Sequence, residues 1–211
     1  MGTAALVRPD EKRKFKMSAI VLGVMSVLIG AIAYAIYIVQ TIGKGGVQPH
    51  PFSWLLWAAV TGVACAVQVA QGGGAGSWVT GFTTIVCFFI GILTLLKHRW
   101  RFSWFDWASL GAGLFVLGFY ILARNPTQSA ILATLTDVIG YGPTIKKGWY
   151  EPYKDSTTSF GLNGLKFLVA LPALGPCSIA TWLYPMTIGG VNIGVAGMLR
   201  LRRLVVRNVK L

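Results

Sequence analysis

The stretch GYGPTIKKGW, residues 140–149, stands where an apolar run gives way to a polar loop. YIVQTIGKGG, residues 37–46, stands at the same kind of boundary after the first apolar run. Both place a Thr-Ile pair just ahead of a Lys-Gly. Outward from these words the likeness continues: 53–60 (SWLLWAAV) lies against 159–166 (SFGLNGLK), and 77–96 against 181–200 without a gap, with Trp78 on Trp182 and Thr83 on Thr187. The offsets of the three blocks are 103, 106 and 104 residues, so only the loops have drifted. Self-similarity at a near-constant period marks an internal repeat.

Composition sets the medium in which that repeat folds. Of 211 residues, 55% are hydrophobic and 12% charged, about half the usual charged share. A soluble domain of this length has too little interior for so much apolar surface, and an integral membrane protein is expected. A helix needs about 20 apolar residues to cross the hydrocarbon core. Seven runs qualify as expected spans: 17–39, 52–70, 78–96, 105–123, 129–144, 160–179 and 183–199, the fifth being short and carrying Asp137. The first run is too long for a signal peptide's apolar region, so an uncleaved first helix is expected.

The net charge of +13 gathers at the edges of these runs. That is the pattern of membrane-surface anchors and topology signals, not of a nucleic-acid-binding face. With seven spans the two ends lie on opposite sides. Arg8, Lys12, Arg13, Lys14, Lys16 and Arg124 fall on the N-terminal side, and twelve of the other basic residues, from Lys44 to Lys210, fall on the C-terminal side. The excess places the C-terminus in the cytoplasm and the N-terminus opposite, although the N-terminal cluster pulls the other way.

Each copy of the repeat holds three spans and the fourth is left over. An odd linker makes the two copies parallel. The expected fold is all-α: seven transmembrane helices as two parallel three-helix repeats joined by a linker helix. Its parts are a basic segment 1–16, a first unit 17–97, a basic loop and linker 98–126, a second unit 127–200 and a basic tail 201–211, the tail and basic loops facing anionic lipid head groups. Parallel repeats about an axis along the membrane normal are a transporter plan, with substrate bound between them near the midplane.

Val39-Gln40 and Pro143-Thr144 end the first helix of each unit, and each is followed by a basic loop and a Ser/Thr-led helix. In these residues and in the three-linker-three layout the chain resembles the SWEET sugar transporters and the wider PQ-loop superfamily. Each copy keeps half of the Pro-Gln pair, Gln40 in the first and Pro143 in the second. The resemblance implies hinges at Gln40 and Pro143, and a solute contact at Asn192, whose counterpart in the first unit is Phe88. Thr80, Thr83, Thr84, Tyr184 and Thr187 complete the expected lining of a polar cavity between the units.

Asp137 and Lys166 are the acidic and basic residues set well inside spans. At 1.5 Å per residue they reach similar depths, and an intramembrane ion pair is expected, either structural or tied to a proton or substrate. Asn192 reads equally as a helix–helix hydrogen bond. Trp54, Trp57, Trp78 and Trp182 are candidates to stack on a solute ring, while Trp100, Trp104 and Trp107 read as interface anchors. The Gly-rich 71–77 lacks the Lys-Ser/Thr of a phosphate loop and reads as a flexible turn.

No Ser-His-Asp set, paired catalytic carboxylates, metal-ligand spacing or cofactor motif stands out. The expectation is a non-enzymatic membrane protein without metal or cofactor. It moves a small neutral solute by alternating access, or serves as a non-transporting structural or accessory subunit of a larger membrane protein complex; its expected protein partners are copies of itself or that larger complex.

Overall fold

The computed structural model describes residues 9–43, 47, 49, 51–97 and 104–209. Lys44, Arg99, Arg101 and Lys210, four of the basic residues expected at the cytoplasmic surface, lie outside the described residues, as do Arg8 and the expected anchor Trp100. The helices are α1 (Pro9–Ile42), α2 (Pro51–Ala70), α3 (Trp78–Lys97), α4 (Trp104–Ala123), α5 (Pro126–Gly140), α6 (Gly142–Tyr150), α7 (Thr157–Ala170) and α8 (Ile179–Val209), and the described residues hold no strand. Three segments, Lys16–Ile42, Pro51–Ala70 and Gly74–Leu96, are long and apolar enough to cross a membrane. Leu110–Ala123 is apolar but shorter.

Local chemistry sets the boundaries. Asn125 caps α5 by accepting from the Gln128 N–H at 3.0 Å, and Pro126 opens the first turn, where its missing N–H costs nothing. Ser156 caps α7 through the Ser159 N–H at 3.2 Å. Gly72 and Gly74 sit at φ of 75° and 53° between α2 and α3, backbone that other residues adopt at a cost. A Cβ on Gly76 would stand 2.5 Å from the Leu174 nitrogen. The 71–77 stretch is therefore a turn whose glycines are required by conformation and close packing.

Three expected boundaries move. The sixth run does not stay helical to residue 179: α7 ends at Ala170, a short turn spans Leu171–Ala173, and Pro172, Gly175 and Pro176 hold the chain out of helix until Ile179. The fifth run divides into α5 and α6 at Tyr141, and Pro143 falls in the first turn of α6. The basic stretch after residue 200 is no separate tail but continues α8 to Val209.

Packed neighbours include both antiparallel and parallel pairs. α1 lies antiparallel to α7, with Ala33 beside Ser159 and Gly30 beside Lys166. α2 lies antiparallel to α3, with Leu55 beside Gly91 and Cys65 beside Gly81. α5 runs parallel to α8, with Asp137 beside Tyr184 and Tyr141 beside Asn192. α3 packs on α1 and α2; α8 packs on α5 and α7; α1 packs on α7, α2 on α5, and α4 covers α2 and α5. The main core, with Tyr34, Trp54, Trp57, Val63, Ile90 and Phe160 among its members, fills the space between α1, α2, α3, α5, α7 and α8.

Candidate functional site

A small cavity lies at the middle of this core, with free space of about 30 Å³ for the centre of a water-sized molecule. Every helix except α4 and α6 contributes to its wall. Half of the lining side chains are aromatic, and the polar ones come from both sides of the bundle.

On the side of α1 and α3, Lys166 reaches in from α7 and is fully buried. Its Nζ donates to Tyr34 Oη and to Thr83 Oγ1, each at 2.8 Å, and sits 4.1 Å from the centre of the Tyr34 ring. Thr83 Oγ1 in turn donates a hydrogen bond to the Val79 carbonyl at 2.7 Å. The Tyr34 hydroxyl lines the cavity and stands 3.8 Å from Cys87 Sγ. Gly30 makes room for the lysine stem: a Cβ there would meet Lys166 Cδ at 3.0 Å.

On the side of α5 and α8, Asp137 Oδ2 accepts from the Tyr184 hydroxyl, while Oδ1 has no protein donor. Between the two sides, Asn192 Nδ2 donates to Tyr141 Oη and to the Ile188 carbonyl, both at 2.8 Å. The Tyr141 ring lies 5.0 Å from that of Trp57. Trp57 Nε1 is buried without an acceptor, and Asn163 Oδ1 without a donor. Buried polar groups are normally satisfied, since each orphan costs about 1–3 kcal/mol. Three such atoms belong to residues around one small cavity.

The expected site residues divide. Asn192, Thr83 and Tyr184 line the cavity. Thr80 is buried with its hydroxyl unpartnered, and Thr84 is half-buried, donating to Thr61 at 3.1 Å; neither lines the cavity, nor does the half-buried Thr187. Phe88 is 57% exposed on the outer face of α3, and it is the preceding residue, Cys87, that faces inward. Trp54 and Trp57 line the cavity, Trp78 is exposed, and Trp182 is half-buried outside it. Gln40 is half-buried near the end of α1, its Oε1 unpartnered. Asp137 and Lys166 form no ion pair with each other, because α7 packs on α1 and α8 and does not bring Lys166 onto α5.

Tyr34, Tyr141, Asn163 and Cys87 are site residues that the sequence reading passed over. A signal existed for Tyr34: the 103-residue offset of the first block places it opposite Asp137. Asn163 precedes Lys166 by three residues and so shares its helix face. Tyr141 stands inside the repeated word itself.

No family model, no curated protein and no solved structure matches this chain.

Proposed function

We propose that this chain is a small-solute transporter of seven spans, in which two parallel three-helix units rock about the central cavity to give alternating access. α1–α3 form one unit, α5, α7 and α8 the other, and α4 is the linker. The packing supports this: in each unit the first helix lies on the third and the third on the second, and the first helix of each unit lies on the second helix of the other. α6, opened by Pro143, is the short cytoplasmic segment after the second unit's first helix, and Gln40 holds the matching place in the first. The C-terminus is cytoplasmic and the N-terminus opposite, with Arg200 and Arg207 at the anionic head groups.

The observation that carries the reading is the cluster of buried polar atoms left without protein partners around a cavity walled by both units. A centre built only to seal two bundles together gains nothing from them. Asn192 and Thr83 hold polar groups in the wall, and Trp54 and Trp57 supply flat apolar faces.

Cys87 supplies a test that needs no knowledge of the solute. It is 2% exposed and lines the cavity. In a Cys65→Ala, Cys177→Ala background, alternating access exposes it to a small membrane-impermeant thiol reagent within minutes in folded protein. A Cys87 that reacts only after unfolding sinks the transport reading.

A second reading, an accessory subunit of a larger membrane assembly, is favoured by the small size of the cavity and by the close α7–α8 packing at Gly164 and Gly189. Gentle extraction from the native membrane separates the two. Migration alone or as a small homo-oligomer supports the transporter, and co-migration with other proteins supports the subunit.

A further inference from the structure

We propose that a groove at the end of the bundle where α1 begins holds one anionic phospholipid, its acyl chain in the groove and its phosphate against Lys16. The site is separate from the central cavity. The inference holds whether or not the chain transports, and whichever end faces the cytoplasm.

The groove offers about 600 Å³ of free space between the start of α1, the 74–77 turn and the loop after α7. That lies within the range of about 300–1,000 Å³ usual for ligand sites. Backbone chemistry opens it. Pro172, Gly175 and Pro176 keep the chain out of helix between α7 and α8. Gly175 lies so near the turn after α2 that a Cβ on it would stand 2.8 Å from the Gly72 carbonyl oxygen. On the other flank α1 rests on the same turn at Gly23, where a Cβ would meet the Ala75 carbonyl oxygen at 2.6 Å. N-terminal to that contact, Lys16, Ala19 and Ile20 share one face of α1 and form a wall. Ala75 and Ala173, both buried, form the floor, and the half-exposed Trp78 stands at the rim.

Two of the lining side chains are polar. Ser77 spends its hydroxyl on the Gly74 carbonyl at 2.8 Å. Lys16 is exposed, and among the described residues none pairs with it. No acidic residue lines the groove. An apolar trough with one free cation at its mouth complements an amphiphile with a negative head.

Depth makes that amphiphile a lipid. Lys16 opens the apolar segment Lys16–Ile42, and Trp78 opens α3 within Gly74–Leu96. These ends set the groove where hydrocarbon gives way to head groups, the level at which tryptophan and lysine side chains settle. Lys14, two residues earlier and exposed, adds positive charge on the polar side. A zwitterionic lipid fills the trough and leaves the cation unmatched. A free phosphate matches the cation and leaves the trough empty.

The test uses the purified full chain, stripped of lipid in neutral detergent. Phosphatidylglycerol and phosphatidylcholine with the same acyl chains are titrated in, and bound lipids are counted by native mass spectrometry. Thermal unfolding is followed in parallel, since a ligand that binds only the folded state raises its Tm. The first phosphatidylglycerol is expected to bind about fivefold tighter than phosphatidylcholine, the weight of one basic side chain at an anionic surface. Lys16→Gln is expected to erase that preference. Ala19→Phe, which fills the groove and leaves the charge in place, is expected to lose the first bound lipid of either kind. Arg124→Gln, which removes another exposed cation, is expected to keep the preference. Lys16 is exposed, so its exchange leaves the fold intact, and unchanged unfolding without lipid checks each variant.

Equal affinity for the two lipids overturns the inference. So does a preference that survives Lys16→Gln, or one that Arg124→Gln removes as fully. Full binding by Ala19→Phe means that the acyl chain lies elsewhere. Displacement of phosphatidylglycerol by inorganic phosphate reduces the site to an anion on a surface lysine, and it too overturns the inference.

Discussion

Glycine is where single atoms decide the packing of this bundle. A Cβ on Gly164 would stand 2.5 Å from Ile193 Cγ1 and 2.8 Å from the Gly189 carbonyl oxygen. The second of these is backbone and cannot rotate away. α7 therefore crosses α8 at a distance only a hydrogen side chain permits, the small-residue contact typical of helices that pack without a hydrophobic drive. Gly190, one residue beyond Gly189 on α8, has nothing within 4 Å of its own would-be Cβ. The two positions predict opposite outcomes. Gly164→Ala overpacks the crossing and costs about 1–3 kcal/mol. Gly190→Ala removes helix-interior flexibility and gains about 0.5–1 kcal/mol. Unfolding of the detergent-solubilised variants by denaturant checks both; equal shifts would mean that α7 and α8 do not meet at Gly164.

Among the elements, the C-terminal end of α8 has a role its composition hides. Arg203 donates from Nε to the Pro152 carbonyl at 3.0 Å and from Nη2 to the Asp155 carbonyl at 2.6 Å, and its guanidinium lies 5.2 Å from the Tyr153 ring. Arg202 donates to the Trp149 carbonyl at 2.9 Å and stacks over its ring. Lys147 pairs with the buried Asp155 at 2.7 Å. Together they strap α6 and the following turn onto α8. Because a planar fork serves two carbonyls and a point charge cannot, Arg203→Ala and Arg203→Lys are both expected to speed amide hydrogen exchange across 151–156 by about tenfold. α7 should keep its protection, and rescue by lysine would reduce the strap to simple charge.

This region also marks how far the sequence could be read. The first four apolar runs were legible because helix length and hydropathy are local, while the edges of the later ones moved, and Thr83, Tyr184 and Asn192 were legible as polar positions within apolar runs. The strap was not, since Arg202 and Arg203 bond carbonyls about fifty residues away and from sequence look like any basic tail. The similar depth of Asp137 and Lys166 followed from residue counts, but their pairing did not. Depth fixes height along a helix and says nothing of direction around it, and here α7 turns to α1. Phe88 failed for the same reason: the alignment sets it opposite Asn192 by number alone, and α3 faces Cys87 inward.

At the scale of the whole molecule, the packing directions set which ends share a side. α1 begins, α7 ends and α8 begins at one end of the bundle, where Lys16, Val69, Trp78 and Ala173 line a common groove. α8 then runs 31 residues to the other end, about 46 Å at 1.5 Å per residue, longer than a hydrocarbon core of about 30 Å. Cys177, just before α8, is exposed, and so is Leu204 near its far end. If α8 spans the bilayer with its basic end in the cytoplasm, as the excess of Lys and Arg on that side directs, these two positions answer to reagents from opposite faces. With Cys65 and Cys87 changed to Ala, Cys177 is expected to take a membrane-impermeant maleimide from outside intact cells. Leu204→Cys, in a background also lacking Cys177, takes it only in inside-out vesicles. Labelling of both from one face would mean that α8 does not cross, leaving an even number of spans and two units that cannot be parallel. Labelling from opposite faces but in the reverse order would keep the architecture and turn it over, with the N-terminal cluster of Arg8, Lys12, Arg13, Lys14 and Lys16 outweighing the C-terminal one.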